Sequence, residues 1–458
     1  MTKLSVLSLI VLMPIITVRA VENETAKEQL PHYKLEVGQE LVYEGSSHFQ
    51  YDGGSFETKE QTTYWVTRQN NDGSWHVVGH NENAFQSLHK GEKEGSSEHK
   101  REAFGGFDLF PDGHLANVPE SLDDQLVTAI FFKFPDDIAL ARAGWEDEKD
   151  AGDKSLYRLA PRSDPASGKW IFEKTAKGVF NAVYLSTSKS LIYFDPKRGL
   201  ITKIESENSQ GYGFKGTGTG RIELKSVNKK SGEWTAQFAQ EADAFLQAKA
   251  ATHKAKDSIR EGAKPEETIA AAEKMLRDNR QKIKLPMIEA QFETELTQLQ
   301  ESGKYLIKQK KTEDELLNKA AADWQTTDIE GKKHALADYR GKVVVLDFWY
   351  RGCGWCIRAM PQIKEVSDHF RDKPVAVLGM NTDPAEKDAR FVADKLKLNY
   401  PTLKAEGLPE KYKVSGFPTL VIIDQKGIVR ARHVGYSPKL REEVIKTIDG
   451  LLASEAGK

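Results

Sequence analysis

From Tyr33 to about Val227 the chain alternates apolar and polar positions in runs bounded by turn-forming residues. T-T-Y-W-V-T-R from Thr62, S-W-H-V-V-G-H from Ser74, K-W-I-F-E-K from Lys169 and F-N-A-V-Y-L from Phe180 all carry the period of two that places one face of a strand on a core. S-L-I-Y-F and L-I-T-K-I-E, split by Asp195-Pro196-Lys197-Arg198-Gly199, predict a hairpin with suitable turn chemistry. Many short strands with little helix between them predict an antiparallel β-rich domain, a sandwich or a barrel. Leu126 to Phe134 suits either a strand or a buried helix.

The texture changes near Gly232 to Ala, Glu, Lys, Gln and Leu. Ile269, Ala272, Leu276 and Ile283 fall at helical spacing, as do Ile288, Phe292, Leu296 and Leu299. Pro265 and Pro286 suit first turns of helices. This predicts an α-helical middle segment, a small bundle or a spacer, and Lys308-Gln309-Lys310-Lys311 reads as a solvated face. A third texture follows. V-V-V-L-D-F from Val343, V-A-V-L-G-M from Val375 and T-L-V-I-I-D from Thr419 are compact apolar runs suited to buried central strands, with helical patterns between the first two. The expected organisation is therefore a leader at 1–20, a β-rich domain at 21–230, helices at 231–315 and an α/β domain at 316–458.

Composition narrows the partners. With 66 basic against 68 acidic side chains the formal charge is −2, so no long-range field draws the chain to nucleic acid. Lys3 precedes a nearly unbroken apolar run from Leu4 to Val18, too short for a bilayer span of about 20 residues. It ends in Val18-Arg19-Ala20, which suits cleavage after Ala20 and predicts export. An uncut segment would instead tether the protein to a membrane.

Two patterns invite a functional reading and fail on context. Gly211-Tyr212-Gly213-Phe214-Lys215-Gly216 spells a dinucleotide fingerprint, but T-G-T-G-R-I-E-L-K-S-V after it alternates like a strand instead of opening a helix. His76 and His80 could share a strand face and bind a metal, though isolated strand histidines are usually half-exposed positions without one.

Chemistry concentrates in F-W-Y-R-G-C-G-W-C-I-R-A-M, Phe348 to Met360, which holds the only two cysteines of the 458 residues. Exported domains stapled by disulfides usually carry several bridges. Zinc needs about four ligands, and the nearest histidines, His334 and His369, stand singly. Dithiol exchange needs only these two. At a helix start, Cys353 meets unpaired N–H groups and the positive end of the helix dipole, which stabilise its thiolate as the nucleophile. Cys356, one turn in, is placed to resolve the mixed disulfide. Asp347, inside a buried strand, has a raised pKa as its expected state and could move the Cys356 proton; solvent or a backbone N–H are its other possible partners.

These residues resemble the thioredoxin active-site stretch at Asp347, Phe348, Trp349, Cys353, Gly354, Cys356 and Pro361, and Gly416-Phe417-Pro418-Thr419 resembles its G-x-P-T segment. The lead-in Ala320 to Val345 and the long insert at Asp383 to Leu403, expected to be helical, are similar to the TlpA/ResA-like branch of extracytoplasmic thiol-disulfide oxidoreductases. The resemblance runs from about Leu316 to Leu452. It implies a thioredoxin-like fold, a cis Pro418, client pairing at Phe417 beside Trp355 and Gly354, and no cofactor beyond the redox-active disulfide Cys353–Cys356. It further implies client proteins bearing thiols or disulfides, a reductase direction and a membrane electron donor. Gly352, Trp355 and Ala359 depart from the family pattern, and residues at and between the cysteines set redox poise. The peroxiredoxin P-x-x-x-T-x-x-C signature is absent: Tyr350 stands three residues before Cys353, and Gly352 four before Cys356. The competing expectation is a binding or scaffold protein whose β-rich part recognises a partner and whose redox module is accessory.

Overall fold

A computed structural model of the chain describes residues 29–89, 98–119, 128–150, 153–180, 184–210, 216–260 and 262–456. The leader and Gly211 to Lys215 lie outside the described residues. The first part forms β1 (Gln39–Tyr51), β2 (Gly54–Gln69), β3 (Trp75–His89), β4 (Glu98–Leu109) and β5 (Leu115–Ala116). A short α1 (Ile138–Ala143) follows, then β6 (Trp145–Asp150), β7 (Asp153–Leu159), β8 (Trp170–Phe180), β9 (Tyr184–Asp195), β10 (Leu200–Gln210) and β11 (Gly216–Lys229).

These make one antiparallel sheet of eleven strands, ordered β5-β4-β3-β2-β1-β11-β10-β9-β8-β7-β6, instead of the expected sandwich or barrel. Pairing of β1 with β11 joins two meanders at their centre and leaves β5 and β6 as edges. The strands are also long instead of short. In the 16-residue β2, burial is confined to Thr62 through Thr67, and Gly54 to Gln61 alternate between half-buried and exposed. Apolar patterning revealed only the buried end of such a strand, because backbone pairing continues beyond the large core, where Phe56 makes ring contacts with Tyr51 and Phe85.

One face packs Tyr43, Tyr64, Phe107, Phe172 and Phe194 from both wings into a single cluster, so the sheet curls over it. Ile130, Phe131, Phe132 and Phe134 join that cluster from an irregular segment, which corrects the strand-or-helix expectation over its described part. The segment is held by Phe134 N–H to the Asp112 carbonyl at 2.7 Å and by Trp145 Nε1 to the Lys133 carbonyl at 3.0 Å. The β9–β10 turn forms as expected: Asp195 Oδ1 accepts from the Lys197 and Arg198 N–H groups, and Gly199 takes the left-handed φ of 67°.

Helices α2 (Gly232–Arg260), α3 (Pro265–Arg280) and α4 (Pro286–Leu316) pack on the other face. Trp65, Val78 and Phe104 of the sheet share a core with Phe238, Phe245, Leu276, Phe292 and Leu299. The helical segment is therefore a layer on the sheet. Buried Glu241 accepts from the Lys284 and Leu285 N–H groups at 3.1 and 2.9 Å, satisfying donors at the start of α4. His76 and His80 face this layer with carboxylate partners: His76 Nδ1 is 2.7 Å from Asp108, and His80 Nε2 is 3.8 Å from Glu102.

The last part begins with the hairpin β12 (Gln325–Thr327) and β13 (Lys333–Ala335), then β14 (Val343–Trp349), α5 (Gly354–His369), β15 (Val375–Asn381) and α6 (Glu386–Leu396). It ends with β16 (Thr402–Lys404), α7 (Leu408–Lys411), β17 (Thr419–Ile423), β18 (Val429–Val434) and α8 (Leu440–Ala456). The sheet order β16-β15-β14-β17-β18 places β14 at the centre, parallel to β15 and antiparallel to β17. The insert expected to be helical supplies α6 and also most of the edge strand β16, whose Thr402 and Leu403 are buried.

Phe292 lies at the seam of sheet and helices, its ring 5.1 Å from Phe245. Phe292→Ala is expected to cost about 3 to 5 kcal/mol of stability, read as a lower urea midpoint of the full chain at an unchanged slope.

Candidate redox site

β14 decides where the site stands. All seven of its residues are buried. Val344, Leu346 and Phe348 pack on one face, while Val343 and Val345 meet Ala359, Ile363 and Val366 of α5 on the other. Alternation along the strand turns Asp347 toward the α5 face and brings Trp349 into one cluster with Cys353, Cys356 and Ile357. Tyr350 to Gly352 then turn the chain into α5, at the carboxyl end of a central strand, where open α/β sheets build their sites.

Cys353 is the N-cap of α5, and its Sγ accepts the Cys356 N–H at 3.1 Å. The two sulfurs are joined in a disulfide with Cα atoms 5.2 Å apart. Cys353 is 6% exposed and Cys356 1%, so an incoming group reaches the first sulfur before the second. Gly354 opens the helix. Tyr350 to Gly352 are tied down from across the module: Arg351 N–H donates to Asp383 at 2.8 Å, and its guanidinium pairs with Asp388 at 2.5 Å and lies 4.3 Å from the Phe391 ring centre.

Asp347 is 2% exposed, and burial pushes its carboxyl up to about 7. Its partner is the Tyr400 hydroxyl, which donates at 3.4 Å and which burial itself raises well above the usual phenol range. Solvent and a backbone N–H, the other partners considered for Asp347, are thus not what it meets. In register beside Asp347 stands Gly379. A β-carbon there would come within 3.0 Å of Trp349 Nε1 and 3.2 Å of the Tyr400 ring, so glycine makes room for the pair.

The Phe417–Pro418 peptide is cis, and Phe417 packs against the cluster that holds both cysteines. The structure thereby gathers Phe417, Cys353, Cys356 and Gly354 at one end of the sheet. Aromatic pairs flank them. The Tyr350 and Phe417 rings meet edge to face at 5.1 Å, and Trp355, 46% exposed, stacks on Tyr436 at 5.5 Å beneath the Arg358 guanidinium. Tyr350, Arg358, Tyr400 and Tyr436 were missed from the sequence. Tyr350 and Arg358 lie inside the quoted motif and could have been found there, whereas Tyr400 and Tyr436 arrive through tertiary structure alone.

Comparison with known proteins places this module. The AhpC/TSA family matches residues 317–432. Thioredoxin-like protein YneN of Bacillus subtilis is 34% identical over 127 residues, 27% of this chain and 74% of its own length. Thiol-disulfide oxidoreductase ResA of Bacillus thuringiensis is 31% identical over 147 residues, 31% of this chain and 83% of its own. Among solved structures, the thioredoxin domain of a thiol-disulfide oxidoreductase from Bacteroides vulgatus is 26% identical and covers 29% of this chain and 97% of its own, with a TM-score of 0.27.

The Asp347 carboxyl yields a prediction with a definite sign. Its folded-state pKa exceeds the unfolded value near 4, so the native state holds the proton more tightly. Its favourable contribution is full below pH 4 and is lost as pH rises through about 7. Asp347→Asn is expected to stabilise the oxidised protein at pH 8 by about 2 to 4 kcal/mol while leaving pH 4 nearly unchanged, as measured by urea denaturation at both pH values.

Proposed function

The chain belongs, through its C-terminal third, to the ResA-like thioredoxin-fold family and is a protein-disulfide oxidoreductase, and we propose that it exchanges the Cys353–Cys356 dithiol with disulfides of exported client proteins, as a reductase. The observation that carries this reading is the Cys353–Cys356 disulfide at the α5 N-terminus, with Cys353 as its N-cap and the more exposed of the two, and Phe417 packed alongside.

In the reduced protein the Cys353 thiolate attacks one client sulfur. The Cys353–client bond forms, the client S–S bond breaks, and the departing client thiolate takes up a proton from water. Cys356 then loses its proton to Asp347, poised near neutrality for that transfer, and attacks the Cys353 sulfur. The client leaves with two electrons and the Cys353–Cys356 disulfide remains. Phe417 and Pro418 offer the client an extended edge, and Trp355 and Gly354 border the attacked sulfur. Two electrons from a donor dithiol, by this reading at a membrane, restore the cycle without a further cofactor. Export is supported by the Leu4 to Val18 apolar run that closes at Ala20. No helix among the described residues is long and apolar enough to cross a membrane.

Cys356→Ser is expected to accumulate mixed disulfides with client proteins, and Cys353→Ser to accumulate none, both seen as reducible high-mass species on non-reducing gels. Failure of both variants to trap a client, together with a wild-type protein unable to reduce insulin, would overturn the reading. Asp347→Asn is expected to slow the resolving step about a hundredfold at pH 7 and to remove its inflection near that pH, as measured by stopped-flow decay of the mixed disulfide.

A further inference from the structure

The loop that carries Phe417 and Pro418 is gripped from outside its own module. Within the module, the Val414 N–H reaches the Pro409 carbonyl at 2.7 Å, Thr419 Oγ1 donates to the Gly416 carbonyl at 2.7 Å, and the Gly435 N–H reaches the Pro418 carbonyl at 2.8 Å. From α4, Gln309 Nε2 donates to Ser415 Oγ at 2.6 Å, and Gln309 Oε1 accepts from Arg432 Nη1 at 2.7 Å. Arg432 Nη2 donates in turn to the Lys413 carbonyl at 3.1 Å, and Lys413 pairs with Glu315, six residues further along α4. The Tyr305 hydroxyl lies over Gly416, where a β-carbon would stand 3.1 Å from it. Gln309 sits inside the Lys308 to Lys311 run that reads from sequence as a solvated face; Lys308 and Lys311 are exposed as expected, whereas Gln309 is half-buried and engaged with the loop.

These contacts belong to the helix whose first half is buried against the eleven-stranded sheet. α4 is continuous for 31 residues, and Phe292 and Leu299 lie in the core shared with Trp65 and Phe104. At 1.5 Å per residue, Gln309 stands roughly 25 Å along the axis from Phe292. After α4 the main chain is bonded to β18: the Asn318 N–H reaches the Val429 carbonyl at 2.8 Å, and the Val429 N–H reaches the Lys319 carbonyl at 2.9 Å. The helix therefore meets the loop in a fixed register and not through a free linker.

We propose that Gln309 is a positioning residue for the client-facing loop, through which the N-terminal sheet and helices set how a protein client is held at the redox site. The proposal rests on the exchange reading above and deepens it. Gln309 touches neither sulfur. It bonds Ser415 and Arg432, which hold the chain from Lys413 to Ser415 just before Gly416 to Pro418, against which an extended client would lie. A protein client depends on that geometry, whereas a small disulfide that needs only Cys353 does not.

The test compares the full chain with Gln309→Leu and Gln309→Glu in insulin reduction driven by dithiothreitol, beside reduction of oxidised glutathione and equilibrium titration of the Cys353–Cys356 couple. Gln309→Leu is expected to raise KM for insulin roughly three- to tenfold, the loss expected for one or two hydrogen bonds, with kcat, the glutathione reaction and the potential unchanged. Gln309→Glu is expected to restore KM, because a carboxylate can accept from both Arg432 and Ser415. Ser415→Ala repeats the test if Gln309→Leu fails to fold. An unchanged KM, an equal loss on glutathione, or a shifted potential overturns the positioning role while exchange stands. A wild-type protein inert toward insulin overturns the exchange reading and this one with it.

Discussion

Complete burial of β14 is the constraint on which the redox module depends. A strand paired on both edges and covered on both faces has one way to carry a polar side chain, by giving it a partner or keeping it neutral. Asp347 does both, with the Tyr400 hydroxyl as partner and a carboxyl raised to about 7. The same burial fixes where the chain emerges. Trp349 closes the strand inside the cluster that holds the cysteines, so Cys353 must cap the next helix within a few residues. Dryness and placement thus have one cause: the apolar strand that gives the disulfide its stage also raises the nearby acid toward neutrality.

The larger part of the chain follows a different rule. Strands β1 and β2 extend well past the large core, with a small aromatic group of Phe49, Tyr51, Phe56 and Phe85 at their far end, and an antiparallel ladder can do this because its hydrogen bonds do not require a continuous core. What requires one is the end carrying Tyr43, Tyr64, Trp65 and Val66, which lies between the irregular aromatic segment at 130–134 and the helices. α4 runs from one half to the other. Its apolar stripe runs on to Gly303 and Leu306, and its last turns carry Gln309 to Ser415 and Arg432.

Legibility from sequence followed the distance over which the physics acts. Cys353, Cys356 and the strand before them were readable because a buried strand, a helix start and two sulfurs are adjacent in the chain. The Asp195–Gly199 turn was readable for the same reason, since its hydrogen bonds span only a few residues. Sheet architecture was not, because the β1–β11 pairing that turns two meanders into one open sheet joins residues nearly the whole length of that region apart. Tyr400 was hidden likewise, since an isolated tyrosine before Pro401 does not announce a carboxylate in another strand. Gln309 was read only in part: Lys308 and Lys311 are exposed as a solvated face should be, whereas Gln309 is half-buried and bonded to Ser415 and Arg432. A polar residue in a basic run looks solvated until a second module is folded against it.

The residues that depart most from the family pattern can be understood through this geometry. Trp355 does not fold over the disulfide: it is turned outward, stacked on Tyr436 under Arg358, and left nearly half exposed. Gly352, on the other side of Cys353, adds no side chain, and the nearest ring is Tyr350, itself engaged with Phe417. Access to Cys353 is therefore bounded by two aromatic pairs, one from the redox helix and its neighbour, the other shared between the turn after β14 and the cis-proline loop. An extended backbone can lie between such pairs and gain apolar contact on both sides, since aromatic side chains present broad, stiff surfaces at little entropic cost. One member of the second pair, Phe417, rides on the loop in which the preceding Ser415 is bonded to Gln309, so on the positioning proposed for Gln309 that approach is set from α4. The departures at Gly352 and Trp355 consequently bear on how a client reaches the sulfur as well as on the poise of the couple.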